Sequence, residues 1–169
     1  MALVQDGVPK ALRHAMRRFA ATVSIVTVRQ GGRSYGVSAT AVTSVSLAPP
    51  SLLAILSSKA SALEPLLESR RFCVNFLKAE QEDLSRVFAS KQFAGRRFEY
   101  GNWTESDGYV YLSDAQANVF CELRESIAFG THVLCLGQAE RVQFAGPVNP
   151  LIYLNGRYFS APEYIGSGA

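Results

Sequence analysis

Between Tyr35 and Pro50 the chain reads Tyr-Gly-Val-Ser-Ala-Thr-Ala-Val-Thr-Ser-Val-Ser-Leu-Ala-Pro-Pro, a β-type stretch threaded with hydroxyls. Ser38, Thr40, Thr43, Ser44 and Ser46 place donors and acceptors beside Gly36, Ala39 and Ala41. A strand that only fills a core carries Val, Ile and Phe on one face. Small residues mixed with hydroxyls instead let a flat ligand lie against the backbone and be hydrogen-bonded there. The same pattern also fits an edge strand with one wet face, and spacing alone does not separate the two.

A second candidate is Ser57-Ser-Lys-Ala-Ser61, which joins an apolar run to a helix start. Free amides, the positive helix end, hydroxyls and Lys59 make an anion site there. Ser61 acting only as a helix cap, with Lys59 in water, accounts for the same residues. His132, in Gly130-Thr-His132 at the head of a strand, is a polar group among apolar neighbours, which suits a hydrogen-bonded structural imidazole as well as a ligand contact. His14, on a surface-type helix, carries no such signal.

Several chemistries find no support. There is no Gly-x-Gly-x-x-Gly and no Gly-x-x-x-x-Gly-Lys-Ser/Thr, which disfavours a Rossmann turn or a Walker loop. No serine sits in a nucleophile elbow and no carboxylate pair stands out, so hydrolysis is disfavoured. Cys73, Cys121 and Cys135 are scattered among strand-like apolar neighbours, without metal-ligand spacing. They are expected to be buried thiols, with no metal site and no disulfide.

These residues need elements to position them. Pro9 precedes Leu12, Ala15, Met16 and Phe19, at the spacing of an amphipathic opening helix. Thr22–Val28 is β-branched and runs into Gln30-Gly-Gly-Arg33, a hairpin turn flanked by antiparallel strands. Ser51–Ser57 is a continuous apolar run, expected to be buried on both faces and central to a sheet. Ser61-Ala-Leu-Glu64 fits a capping box opening a short helix to about Ser69, with Pro65 tolerated in its first turn. Arg71–Leu77 alternates, with Phe72, Val74 and Phe76 on one face and Asn75 on the other. Glu80–Ser90 carries Leu84, Val87 and Phe88 at helical spacing, and Lys91–Trp103 is a basic, aromatic loop. Strands follow at Tyr109–Leu112, at Ala117–Glu125 and at Thr131–Phe144, the last bent or bulged at Gly137, before Pro147, Pro150 and Leu151–Leu154. Many short strands and three short helices that do not alternate with them predict a mainly β, closed antiparallel barrel.

A chain of 169 residues suits one domain, here 1–169 with its core at about 11–162 and a frayed tail at 163–169. The net charge of +3, with no dense basic run, argues against nucleic acid but favours a phosphate-bearing small molecule. The N-terminus lacks signal-peptide order, and the longest apolar run, Leu52–Leu56, falls far short of the roughly 20 residues a bilayer needs. A cytoplasmic location without membrane association is expected.

Taken together, Arg18–Thr27, Gly36–Pro50, Phe72–Leu77, Gln81–Ala89, Gly130-Thr-His132, Gly137 and Pro150–Tyr153 resemble, in order, the flavin reductases that supply reduced flavin to two-component monooxygenases. The resemblance implies a Greek-key split barrel that binds FAD or FMN, with FAD ahead, and takes hydride from NADH or NADPH. It sets Val37, Ser38, Ala39, Thr40, Ala41 and Thr43 against the flavin ring. Leu56, Ser57, Ser58, Lys59 and Ser61 then meet the phosphates, Phe88, Ala89, Ser90 and Lys91 complete the site, and His132 lies near the nicotinamide. It also implies a homodimer and a separate monooxygenase partner.

Two departures stand out: Thr131 and Ala48 occupy positions where the family often has Asp. Without the first carboxylate, no neighbouring charge stabilises the His132 imidazolium. The second affects only a turn. Two other functions share the fold: a flavin-holding electron carrier inert to NADH, and an oxidase resembling those acting on pyridoxamine phosphate. The second would need Lys91–Arg97 for its substrate's phosphate.

Overall fold

Pro9 sits in the first turn of α1 (Val8–Met16), where its missing N–H costs nothing. From there the chain is mostly strand; the structure, a computed structural model, describes residues 7–161, so the tail expected to fray at 163–169 lies outside them. The strands are β1 (Ala21–Thr22), β2 (Ser24–Gln30), β3 (Arg33–Ala39), β4 (Val42–Leu47), β5 (Pro50–Ser57), β6 (Arg71–Phe76), β7 (Trp103–Ser106), β8 (Tyr109–Leu112), β9 (Ala117–Phe129), β10 (His132–Phe144), β11 (Leu151–Leu154) and β12 (Arg157–Ser160). Helices α2 (Leu63–Ser69) and α3 (Glu82–Ala89) fall between β5 and β6 and after β6.

Seven strands pair in the order β3-β2-β6-β9-β10-β5-β4, beside a small sheet β1-β11-β12 and the β7-β8 hairpin, and every pairing is antiparallel. The two edges of the large sheet, β3 and β4, are consecutive in sequence, with only Thr40 and Ala41 between them. So short a link forces the sheet to curl until its edges meet, and the β4-β5 ladder runs back into the link, where the Ile55 N–H donates to the Ala41 carbonyl at 2.9 Å. This is the antiparallel barrel expected from the strand pattern, of the split type that the resemblance implies, with few helices.

The barrel interior is filled from β2, β5, β6, β9 and β10 by Val26, Leu52, Leu56, Phe72, Val74, Leu123 and Cys135, with Leu66 of α2 closing it. A second core, Ile25, Leu77, Leu84, Val87, Phe88 and Leu112, lies where α3 backs the outer side of β2 and β3. Gly137 falls at a register shift between β9 and β10, as its place in the pattern predicts. A Cβ there would stand 2.4 Å from Phe72 Cζ and 3.0 Å from Cys121 Cβ, so the missing side chain admits the buried Phe72 ring.

Four details differ from the sequence pattern. The stretch 35–50 is two strands, because the barrel needs a crossing at Thr40–Ala41. β5 is buried on one face only: Leu52, Ala54 and Leu56 point inward, while Ser51, Leu53 and Ile55 are half-exposed. It also lies next to the sheet edge, between β10 and β4, not at the centre. Finally, the N-cap of α2 is Ala62 with no side-chain cap, since the Ser61 hydroxyl is turned to Arg97.

Gly137→Ala is expected to lower stability by about 1–3 kcal/mol, the usual cost of overpacking, read as a drop in the urea midpoint with unchanged slope. An unaltered midpoint would show that Phe72 has room to move.

Candidate functional site

The crossing that closes the barrel also opens a groove. Thr40, Ala41, Val42 and Thr43 form one wall, with Met16, Phe19, Ile55 and Tyr153 around a cavity of about 560 Å³. A neighbouring cavity of about 540 Å³ shares Phe19, Thr40 and Thr43 and runs to Leu52, Phe76, Val119 and Val142 at the barrel mouth. Both volumes fall in the range of small-molecule sites, and the walls are mainly apolar with a few hydroxyls, as such sites tend to be.

Strand register carries the groove onward. Thr43 stands opposite Leu53, and side chains alternate, so Thr43, Leu53, Ile55 and Ser57 share the outer face of β4 and β5. On β10, Leu134 faces Ile55 and His132 faces Ser57, which adds both to that face. Ser57 lies two positions beyond Ile55, a span of roughly 7 Å. At the far end the Ser58 N–H donates to the Thr131 carbonyl at 2.9 Å, tying the Ser57–Ser61 turn to the β9-β10 hairpin. Thr131 Oγ1 and His132 Nδ1 share a hydrogen bond at 2.9 Å. That neutral partner orients the exposed imidazole without supplying the charge a carboxylate would.

Not every residue singled out from sequence reaches this surface. Thr40, Ala41, Thr43, Ser57, Ser58, Lys59, Ser61, Ala89, Lys91 and His132 are exposed. Leu56 and Phe88 are not: both side chains are core, Phe88 fully buried against Phe98 and Trp103. Phe88 is also why residue 36 is glycine, since a Cβ there would lie 2.5 Å from its ring. Val37 and Ala39 turn into the barrel, leaving only backbone for a ligand. Ser38 points the other way, onto α3, where its hydroxyl lies 3.1 Å from Ser85 Oγ, itself 3.0 Å from Tyr158 Oη. Two further hydroxyls are spent locally: Ser46 accepts from the Ala48 N–H and Ser90 from the Gln92 N–H.

One residue the pattern did not single out joins the parts. Arg97, from the Lys91–Trp103 loop, donates to the Gly36 carbonyl at 2.9 Å, to Ser61 Oγ at 3.2 Å and to the Ser90 carbonyl at 2.9 Å. It therefore clamps the ring strand, the anion turn and the end of α3. The only sequence signal was the loop's basic character, because its three acceptors lie far apart in the chain. Arg97 Nε is buried with no hydrogen-bond partner, and burial pulls the guanidinium pKa down.

Comparison with known proteins follows the same lines. A family model described as flavin reductase like domain matches residues 16–162. The reductase component of an FADH(2)-dependent resorcinol hydroxylase from a Rhizobium species is 38% identical over 162 residues, covering 94% of this chain and 90% of that protein. An FMN reductase (NADH) of Pseudomonas syringae is 33% identical over 154 residues, covering 90% and 86%. Among solved structures, an NADH:FAD oxidoreductase of Streptomyces globisporus, in complex with NAD and FAD fragments, superposes with a TM-score of 0.89 at 26% identity, covering 98% of this chain and all of that one.

The three thiols stand apart from this surface. Cys73, Cys121 and Cys135 are free and buried, as expected. Burial pushes the Cys121 thiol up to about 12 and Cys135 to about 11, and raises Cys73 as well. A thiolate is the reactive form, so none serves as a nucleophile near neutral pH. A disulfide-exchange reagent at pH 7.5 should label none of the three in the native protein and all three in urea; rapid labelling of the native state would contradict the burial.

Proposed function

The chain belongs to the flavin reductase-like domain family, and on that premise we propose that it is the reductase component of a two-component system, passing hydride from NADH to FAD and releasing reduced flavin to a separate monooxygenase. The observation that carries this reading is the shared face of Thr43, Ile55, Ser57 and His132, which continues from an open groove to a turn rich in amides and hydroxyls. The residues present suit a flavin: the wall at Thr40–Thr43 is open and free of bulky side chains, and beyond the turn Arg97 Nε is a buried donor without an acceptor. The names of the relatives favour NADH, and the positive net charge helps gather either nucleotide.

When bound, the flavin supplies the redox chemistry, accepting hydride at N5 from C4 of the nicotinamide. The protein's work is placement. Backbone groups of Val37–Ala41 and the Thr40 and Thr43 hydroxyls fix the ring and meet charge that gathers on it after reduction. Ser57, Ser58, Lys59 and Ser61 hold the phosphate side, Lys59 as a point charge and the serines as donors. His132, at the end of this row, orients the nicotinamide nucleotide and moves no proton, because hydride transfer needs no general base. Ala89 and Lys91 stand at the rim; Leu56 and Phe88 act from behind, as packing.

A second copy of the chain completes the groove. Leu12, Met16 and Phe19 of the first helix and the residues after it are 59%, 56% and 65% exposed, and α1 buries none of its residues. Phe19 lines both cavities, so a partner covering this apolar stripe would also close the ligand groove. Among the described residues no helix is long and apolar enough to cross a membrane.

The direct test is oxidation of NADH by the purified protein with FAD or FMN, followed at the nicotinamide absorbance; no oxidation with either flavin overturns the reading. His132→Ala should lower kcat/KM for NADH by about tenfold, the equivalent of one hydrogen bond to a charged group, with flavin affinity within twofold. Equal loss of both would remove His132 from the nicotinamide side. Sedimentation should give twice the 18.4 kDa chain mass, and Met16→Glu should shift it toward the monomer; a fully active monomeric wild type would refute the shared groove.

A further inference from the structure

Among the described buried polar side chains, Ser24, Thr27, Asn75 and Asn118 each donate to a backbone carbonyl, those of Ala39, Val110, Ile25 and Leu112 in turn. Structural polar groups are commonly matched in this way. Ser85 of α3 is as deeply buried but joins two side chains from separate elements. Its Oγ lies 3.1 Å from Ser38 Oγ on β3 and 3.0 Å from Tyr158 Oη on β12. Leu84, Val87 and Phe88 around it on the helix belong to the apolar second core, where alanine would suit both the packing and the helix better than a hydroxyl.

The donor count makes the three hydroxyls one unit. Ser85 has a single proton and lies out of reach of solvent, so that proton goes to one neighbour and the oxygen accepts from the other. The chain of hydrogen bonds runs in one sense from end to end, and losing the middle hydroxyl breaks both bonds. Its ends stand on two sides of the groove. Ser38 lies two positions before Thr40, on the strand that leads into the Thr40–Thr43 wall. Tyr158 stands opposite Tyr153 in the β11-β12 ladder, with ring centroids 5.2 Å apart, and Tyr153 lines the same cavity. The Arg86 guanidinium, 5.0 Å from the centroid of the Tyr158 ring, holds that ring from the helix side.

We propose, resting on the flavin reading above, that Ser38, Ser85 and Tyr158 form a brace that fixes the width of the groove, with Ser85 as a positioning residue for hydride transfer. Ser85 touches neither ring. It acts by holding the backbone of residues 37–41 at a set distance from the β11-β12 side of the cavity. β3 pairs with β2 alone, so the strand end that runs into the crossing depends on side chains for its remaining support. Arg97 supplies some of it at Gly36, and the brace supplies it two residues nearer the groove. Hydride passes only between rings at near-attack separation, and a misplacement of about 1 Å costs on the order of a hundredfold in rate. A groove of fixed width therefore governs the rate of transfer more than the binding of either nucleotide.

The test compares wild type with Ser85→Ala, Tyr158→Phe and the double variant, since each change removes a hydroxyl and keeps the shape around it. Rapid mixing of flavin-loaded protein with NADH should show hydride transfer slowed about tenfold in each single variant, short of the full penalty for a 1 Å displacement. Flavin and NADH affinities should stay within about twofold. The double variant should be no slower than the slower single one, because members of one chain are not additive. Amide hydrogen exchange without ligand, read by mass spectrometry, should quicken at residues 37–41 in both single variants and stay unchanged in β9. Should Ser85→Ala fail to fold, Tyr158→Phe, at a half-buried position, carries the same readouts. Unchanged hydride transfer, additive losses in the double variant, or a loss shared equally by flavin affinity overturns the brace. A wild type that oxidises no NADH with either flavin fails the flavin reading instead. Exchange then decides the brace alone: quickening at 37–41 upholds it as the support of that strand, and no quickening removes it.

Discussion

The rest of the structure depends on the two-residue crossing at Thr40 and Ala41. It joins strands at opposite edges of a seven-stranded sheet, so the sheet must roll until β3 and β4 meet. A rolled antiparallel sheet has few open edges to pair with other chains. The crossing leaves the Thr40 hydroxyl exposed, where a ligand can use it. Closure of the barrel and opening of the groove are therefore one event.

Holding that crossing still is the task of the second core. β3 is clamped between the barrel interior, which takes Val37 and Ala39, and α3, which takes Gly36 and Ser38. Phe88 can reach the β3 backbone only because residue 36 lacks a side chain. Behind it, Asn75 anchors β8 to the barrel: its Oδ1 accepts from the Leu112 N–H and from Asn118 at 2.8 Å each, while its Nδ2 donates to the Ile25 carbonyl at 2.7 Å and to Thr27 at 3.0 Å. A buried amide is costly unless its donors and acceptors are matched. Asn75 meets that condition in one register only, so it specifies the packing as well as supporting it.

Charge is arranged in two zones. The ion pairs, such as Arg86 with Glu82 and Arg96 with Glu99, lie on the surface in water, where each adds little stability. The groove and the anion turn, by contrast, carry hydroxyls, amides, Arg13, Arg17 and Lys59, and no Asp or Glu lines the groove. In place of a carboxylate beside His132 stands Thr131, so the imidazole is oriented by a hydrogen bond and not by an adjacent charge. Such a surface suits nucleotides, which bring their own negative charge, more than cationic substrates.

The sequence by itself determined the strand periods, the in-phase Phe72 and Val74 with Asn75 turned away, the bulge at Gly137 and the buried thiols. Each is a local matter: alternation, β-branching and glycine act within a few residues of themselves. Only the tertiary structure decided which hydroxyls stay free. Ser38 and Thr43 look alike in the pattern, yet one is bound to Ser85 and the other opens to the groove, because α3 covers one end of the stretch and the barrel seam exposes the other. Arg97 is the extreme case: it gathers Gly36, Ser61 and Ser90 from three distant segments. No spacing rule reaches that far, since the chain entropy separating those segments is overcome by the packed core and not by anything in the arginine's own neighbourhood.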